Sequence, residues 1–154
     1  MLKKLLFSTA VILIIALTAA FIFSNSMLSG IDSNKKSGVI VDLIRPVIDP
    51  DGNMATYEIQ YIVRKTAHFL EFFILGASLT VISFIIGKKI LSPWIFMPMF
   101  FTLAAAVADE FVQSFTGRTS LVSDIVIDFS GGFSGIVLTI LIYGVILTVN
   151  KSKN

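Results

Sequence analysis

The chain contains no cysteine, only one histidine and few charged residues. Without cysteine, disulfide bonds and thiol catalysis are excluded. Charged residues make up 14% of the chain, whereas a soluble domain carries about 25%. The sequence also has no serine nucleophile elbow, no phosphate-binding glycine loop and no His-Glu-x-x-His zinc motif. These absences exclude several enzyme classes and argue against a soluble domain.

Apolar residues dominate what is present. Hydrophobic residues make up 55% of the 154 residues, and the mean hydropathy is +0.89. The pI is about 9.0 with a net charge of only +2, but the basic residues form no stripe or arm. They indicate membrane topology rather than a nucleic-acid interface.

Four apolar runs predict an all-α protein: a four-helix membrane bundle that forms a single domain over residues 1–154. Crossing the hydrocarbon core takes about 20 residues. The predicted spans are residues 5–23, 66–86, 93–112 and 122–149. The alternative for the first run is a signal peptide, with Lys3 and Lys4 as its basic region and residues 18–20 as a weak cleavage site. Because the run continues to Phe23, we expect a retained anchor.

The polar segment between the first two spans, residues 24–65, is predicted to contain a short amphipathic helix. Apolar residues recur at helical spacing across residues 39–47, and Pro46 should end or kink that helix. We expect it to lie on the membrane or to cap the bundle. Turn signals occur at residues 24–26, 29–30 and 49–52. A second short helix is predicted over residues 55–63.

Lysines flank the spans at one face of the membrane. Cytoplasmic flanks carry an excess of lysine and arginine, so both termini are predicted to lie in the cytoplasm and the long polar segment outside. The lysines that set this orientation are Lys3, Lys4, Lys88, Lys89, Lys151 and Lys153. The predicted location is therefore the cell membrane, crossed several times.

The other ionisable residues of the spans gather at the opposite, outer face. They are Arg64, Lys65, His68, Glu71, Asp109, Glu110, Gln113 (a polar neighbour), Arg118, Asp124 and Asp128. Arg64, His68 and Glu71 are spaced to share one helix face, and the acids of the fourth span lie one turn apart. Each helix can therefore direct a polar stripe at one common point. Small residues at 131–135 should let the helices approach closely in lipid.

The cluster has two interpretations. A charge at the bilayer centre costs about 2.5–3.5 kcal/mol on insertion scales, so these residues need a structural or a functional reason. The basic residues could pair with acids and hold the helices together. Because the acids outnumber the nearby cations and the only histidine lies among them, a functional pocket is the preferred interpretation.

These residues resemble the VanZ-like family, small bacterial membrane proteins named for a teicoplanin-resistance protein. The matching stretches are residues 23–26, 64–72, 109–115, 117–118 and 124–128 with the glycines that follow. One departure is Val112, where many members have a histidine, and it weakens any proposal that needs two histidines. The resemblance implies a multi-spanning protein of the bacterial cell membrane, linked in some members to reduced glycopeptide susceptibility.

The first functional hypothesis is a site that binds, or also modifies, an anionic envelope lipid or cell-wall precursor. Arg64, Lys65 and Arg118 would hold phosphate or carboxylate, assisted by Gln113. His68 could act as a general acid or base. The acids that could orient it or take part in catalysis are Glu71, Asp109, Glu110, Asp124 and Asp128. No cofactor is required, although hard carboxylate oxygens with one imidazole would suit Mg²⁺, Mn²⁺ or Ca²⁺ better than tetrahedral Zn²⁺.

Two other functions stay open on the sequence. The chain could be a proton-coupled transporter of small solutes, since intramembrane histidine and carboxylates serve as proton relays. Against this, the polar residues stop in the outer half and no broken-helix pair occurs. Alternatively, it could be a non-catalytic envelope protein whose cluster only holds helices in register. The ligand, any reaction and the oligomeric state are not specified by the sequence.

Overall fold

The computed structural model describes residues 2–87, 93–118 and 120–152. This part of the chain has no strand and forms five α-helices, with a 3-10 turn at Pro93–Ile95 before the fourth. The helices are α1 (Leu2–Ser26), α2 (Gly30–Ile48), α3 (Thr56–Gly87), α4 (Phe96–Ser114) and α5 (Val122–Ser152). All except α2 are long and apolar enough to cross a membrane. The chain is therefore a multi-pass membrane protein, as predicted.

The first helix extends three residues beyond the predicted span, so the turn predicted at residues 24–26 is wrong. The hydroxyl of Ser24 donates to the carbonyl oxygen of Ala20, and that of Ser26 donates to Ile22. Serine can bond in this way to the carbonyl four residues earlier without leaving the helix. Ser26 is consequently the last residue of α1, where it is buried and contacts Asp109 of α4.

The second helix is twice as long as the predicted segment, and Pro46 lies inside it rather than at its end. Ser29 caps its start, because the Ser29 hydroxyl oxygen accepts a bond from the Asp32 N–H at 3.2 Å and donates to the Asp32 carboxylate at 2.7 Å. Ser29 is thus a serine N-cap, a residue type favoured at the start of a helix. Pro46 removes one N–H from the helix, but the Asp49 N–H still donates to the Arg45 carbonyl oxygen at 2.9 Å.

The helix predicted over residues 55–63 and the second span are one continuous helix, α3. No glycine or proline interrupts residues 56–75, so nothing in that stretch breaks the helix. At about 1.5 Å per residue, α3 is about 48 Å long, and a hydrocarbon core is about 30 Å thick. Its first turns therefore project beyond the core, where Ile59 and Val63 pack against Val41 of α2.

The closest helix contact joins α3 and α5 through glycine. A Cβ atom added to Gly131 would collide with the carbonyl oxygen of Phe69, and one added to Gly135 would collide with that of Phe73. Only a residue without a side chain allows this approach. The predicted role of the 131–135 glycines is thus seen in the structure, and it sets Asp128 beside the first half of α3.

The remaining helices pack around this pair. Ile22 of α1, Phe72 of α3 and Ala106 of α4 form a buried apolar cluster. At the other end of the molecule, Lys4 lines the same groove as Tyr143 of α5. The start of α1 therefore lies next to the second half of α5, at the end of the molecule opposite the polar cluster. Three of the lysines used to predict the orientation, Lys88, Lys89 and Lys153, lie outside the described residues.

Candidate functional site

The predicted polar residues meet at one end of the helices. The end of α1, the first half of α3, the end of α4, the loop at residues 115–121 and the start of α5 all contribute side chains. The contacts fall into four groups, which are a buried His-Asp-Asp cluster, its supporting hydrogen bonds, an ion pair and two arginines without acidic partners.

The centre is His68 between two buried carboxylates. Its Nδ1 atom lies 3.7 Å from Oδ2 of Asp109 and 3.5 Å from Oδ1 of Asp128. Asp109 is 0% exposed and Asp128 is 2% exposed. These separations exceed the usual 2.7–3.2 Å of a hydrogen bond. Within the described residues, neither Oδ2 of Asp128 nor Nδ1 of His68 has a hydrogen-bond partner.

Asp109 is held in place from two helices. Gln113, one turn later on α4, donates from Nε2 to Oδ2 of Asp109 at 2.6 Å. The hydroxyl of Ser26 on α1 has a single hydrogen, which it shares between Oδ1 of Asp109 and the carbonyl oxygen of Ile22. Gln113 is among the site residues predicted from the sequence, whereas the pattern at residues 24–26 predicts a turn for Ser26. The signal that could have identified Ser26 was its place in the stretch 23–26, which resembles the family.

Glu71 lies at the edge of the cluster and bonds to Asn25, a second site residue that the sequence pattern does not predict. Asn25 of α1 donates from Nδ2 to Oε1 of Glu71 at 3.2 Å, and its Oδ1 accepts from Lys36 of α2 at 3.4 Å. Asn25 thus links the end of α1 to α2 and α3. Asn25 and Glu71 line the same cavity as His68.

Lys65 and Asp124 form the one ion pair that joins two membrane helices among the described residues. Lys65 Nζ lies 2.5 Å from Oδ2 of Asp124, so the ion pair joins the first half of α3 to the start of α5. Lys65 also lies over the ring of Tyr61. This pair therefore fits the interpretation in which basic residues pair with acids to hold the helices together. Because Lys65 is paired with Asp124, it is less free than the two arginines to hold a ligand.

Glu110 is buried but faces the loop rather than His68. Its Oε1 accepts from the backbone N–H of Leu121 at 2.6 Å, and its carbonyl oxygen accepts from the Ser120 hydroxyl at 3.4 Å. Gly117 in this loop has a positive φ of 70°, a conformation that glycine adopts without strain. Glu110 and Gly117 therefore shape the loop that carries Arg118.

Arg64 and Arg118 have no acidic partner. In the described ranges, no carboxylate oxygen lies within 4 Å of either guanidinium. Arg64 instead donates to Oδ1 of Asn34 on α2 at 2.7 Å. Burial lowers the pKa of Arg118 and the positive charge of nearby Arg64 lowers it further, whereas the charges of Asp109, Glu110 and Asp124 raise it. Two cations thus line the same two cavities, where a bound anion would stabilise both.

Two cavities share Arg64, His68 and Arg118 in their walls. One, of about 320 Å³, is also lined by Lys65, Gln113 and Asp124. The other, of about 200 Å³, is lined by both polar and apolar residues. Its apolar wall consists of Phe21, Leu28, Ile40, Val63 and Ala67. The site as a whole therefore offers positive charge beside an apolar surface.

Comparison with known proteins agrees with the resemblance seen in the sequence. A family model described as VanZ/LLP1 matches residues 9–143. The matched range covers most of the 154 residues and contains every predicted site residue. No curated protein and no solved structure matches the chain.

Proposed function

Since the chain belongs to the VanZ/LLP1 family and brings two unpaired arginines to a common cavity, we propose that it binds the anionic headgroup of an envelope lipid or lipid-linked cell-wall precursor. The observation that carries the proposal is the pair Arg64 and Arg118. Family membership specifies no ligand, so the argument rests on the charges and shape of the site.

An unpaired cation that is partly buried, such as Arg118, raises the free energy of the unoccupied site. Removing a charged group from water is costly unless it is paired and hydrogen-bonded. Arg118 is about half-buried, and the Arg64 guanidinium near it has the same sign. A phosphate between them would accept two-pronged hydrogen bonds from each planar guanidinium. Phosphate or carboxylate binding therefore offsets the repulsion that the free site contains.

The apolar residues in the cavity lining favour a lipid ligand over a soluble anion. The cavity that contains Arg64 and Arg118 is also lined by Phe21 and Ile40. Such a surface attracts a chain that is apolar next to its charged group. An amphiphile with a phosphate headgroup would satisfy both parts of the wall, whereas a small soluble anion would leave the apolar part wet.

The proposed arrangement is a four-helix bundle with the site at the outer face of a bacterial cell membrane. Lys3, Lys4 and Lys151, which lie at the opposite end of the described helices, support this orientation. It places α2 outside, where its Val39, Leu43 and Val47 are 73%, 78% and 81% exposed and lie on one helix face. We propose that this face rests on the lipid surface beside the site.

The same site has chemistry for modifying the bound lipid as well as holding it. His68 lines both cavities beside Arg64 and Arg118, within reach of a headgroup that they hold, and it is the residue that would transfer a proton. Reduced glycopeptide susceptibility, which the family resemblance implies, would be one consequence of binding a cell-wall precursor.

A proton-coupled transporter fits the described residues less well. Beyond the polar end, the buried polar side chains of the described spans are Thr80, Ser83 and Thr102. Thr80 and Ser83 bond to the backbone of their own helix. They provide no chain of ionisable groups to the other face.

The proposal is tested by lipid binding to the purified protein. Native mass spectrometry or fluorescence titration would measure the affinities for a polyprenyl phosphate, for phosphatidylglycerol and for neutral phosphatidylcholine, with inorganic phosphate as a headgroup without chains. We expect a phosphate lipid to bind more tightly than phosphatidylcholine and inorganic phosphate. Arg118→Gln should weaken phosphate-lipid binding about 10- to 100-fold, because charge-assisted bonds contribute about 1.5–3 kcal/mol each.

The matched control is Lys35→Gln, which removes one positive charge from an exposed position on α2. It should leave the affinity within about twofold. Equal losses in both variants would mean that a diffuse positive field, not a site, attracts the lipid. Unchanged binding by Arg118→Gln would refute the proposal, provided that the variant elutes as a folded protein.

A further inference from the structure

We propose that His68, Asp109 and Asp128 bind a divalent metal ion at the base of the site. The inference goes beyond the proposed function and does not depend on it, because these three side chains would hold the ion whether or not the arginines hold an anion. Nitrogen and carboxylate oxygen atoms from the three residues lie within 4.8 Å of one another.

The first support is the spacing of the possible ligand atoms. Nδ1 of His68 is 3.5 Å from the nearest Asp128 oxygen and 3.7 Å from the nearest Asp109 oxygen. Atoms that each bind a common ion at about 2.1 Å are about 3.0 Å apart at a right angle and about 3.4 Å apart at a tetrahedral angle. Both distances from His68 are therefore too long for a hydrogen bond. They exceed the tetrahedral separation by about 0.1–0.3 Å and the right-angle separation by about 0.5–0.7 Å, so a small shift of the side chains would let them bind one ion.

The second support is independent of that spacing. Asp128 is 98% buried by side-chain area, and its Oδ2 has no hydrogen-bond partner in the described part of the chain. No lysine or arginine nitrogen in that part lies within 4 Å of Asp109 or Asp128. Two buried carboxylates without a close basic residue are costly in a membrane protein. A dication would offset both charges.

The third support is the shell of residues behind the ligands. Gln113 and Ser26 donate hydrogen bonds to the two oxygens of Asp109. A carboxylate oxygen has two lone pairs, so Asp109 can accept these bonds and still bind an ion. Residues in this position orient metal ligands, and their loss typically lowers metal affinity about 10- to 100-fold.

The ligand set indicates which ion to test first. Carboxylate oxygen suits Mg²⁺, Ca²⁺ and Mn²⁺, whereas imidazole suits the transition metals. Mn²⁺ accepts both types of ligand, and its electron paramagnetic resonance signal reports binding directly. Mg²⁺ and Zn²⁺ then serve as competitors that identify the preferred ion.

The experiment titrates Mn²⁺ into the purified full chain in detergent, with no phosphate lipid added. The wild type should bind one Mn²⁺ per chain. Asp128→Asn, which keeps the size of the side chain, should weaken binding at least about 100-fold, and Gln113→Leu should weaken it about 10-fold. Asp42→Asn is the control, because it removes an exposed acid of α2 far from the cluster in sequence and should not change the affinity.

Folding of each variant is checked by size-exclusion profile and thermal unfolding without metal. If Asp128→Asn is lost from the membrane, His68→Gln takes its place. If the wild type binds Mn²⁺ no more tightly than a folded Asp128→Asn or His68→Gln variant, the inference is overturned. Water or shared protons would then stabilise the cluster. Because lipid is absent, that result would leave the anion proposal untouched. Conversely, specific Mn²⁺ binding would stand even if Arg118→Gln had no effect on lipid affinity.

Discussion

The contact between α3 and α5 makes a sharp prediction about glycine. In Gly135→Ala, the new Cβ would meet the backbone of α3, with the carbonyl carbon of Phe73 and the amide nitrogen of Ala77 each 3.0 Å away and the Phe73 oxygen closer still. Backbone atoms cannot rotate aside, and ordinary carbon contacts are about 3.5–4.0 Å. To bring the Phe73 oxygen also to an ordinary contact distance, the two helices must move apart by about 1 Å.

The expected cost follows from overpacking. Forcing extra atoms into a packed interior typically costs about 1–3 kcal/mol, while alanine gains up to about 1 kcal/mol over glycine in a helix. Gly144 on the same helix has no atom within 4 Å of its added Cβ. Gly144→Ala should therefore be stabilised by the higher helix propensity of alanine, with no overpacking cost. Gly135→Ala should therefore be about 1–3 kcal/mol less stable than Gly144→Ala.

The assay is unfolding in mixed micelles with increasing sodium dodecyl sulfate, followed by circular dichroism and by the fluorescence of Trp94, the single tryptophan. Asp128 lies on the same face of α5, two turns before Gly135, so the separation should also loosen the His68 cluster. Equal stability of the two alanine variants would refute the close contact, and with it the reason why Asp128 reaches His68.

Three further predictions concern the ion pair, the orientation and α2. A double-mutant cycle with Lys65→Met and Asp124→Leu should give a coupling of about 1–3 kcal/mol in the same unfolding assay, because the pair is mostly buried; a coupling near zero would contradict the contact. In intact cells, Lys35→Cys should react with an impermeant thiol reagent and Lys151→Cys should not, and the chain's lack of cysteine keeps the background low; the reverse pattern would place the site in the cytoplasm. Spin labels across residues 39–47 should alternate between lipid and water exposure with a helical period, whereas uniform water exposure would contradict docking of α2 on the membrane.

The sequence was sufficient to predict the membrane helices, because their signals are local. Each apolar run is long enough to span, and charges mark its ends. The boundaries were less accurate where a polar residue continues a helix. Ser24 and Pro46 are both signals of a turn or a break, but a serine can bond back to its own helix and a proline removes only one N–H.

The candidate site was predictable in its location but not in its pairing. Helical spacing placed His68, Asp109 and Asp128 at the same end of the molecule, yet it could not show which acid meets the histidine and which meets Lys65. That division depends on the rotation of α5 about its axis, which the glycine contacts with α3 determine. Nor could spacing along α4 reveal that Glu110 faces the loop instead of the cluster.

Helical spacing in the sequence did not predict that α1 contributes side chains to the site. Asn25 and Ser26 are small polar residues next to a long apolar run, and such residues usually end a helix. Their bonds to Glu71 and Asp109 join positions far apart in sequence. Contacts of this kind become visible only when the helices are assembled.

The central claim is that Arg64 and Arg118 together hold a phosphate group, and the most direct measurement is an experimental structure of the protein purified with its native lipid. The account predicts density for a phosphate headgroup within about 2.7–2.9 Å of both guanidinium groups, with its chain along Phe21 and Ile40. If both arginines were instead paired with acids of the cluster, with only ordered water between them, the claim would be contradicted.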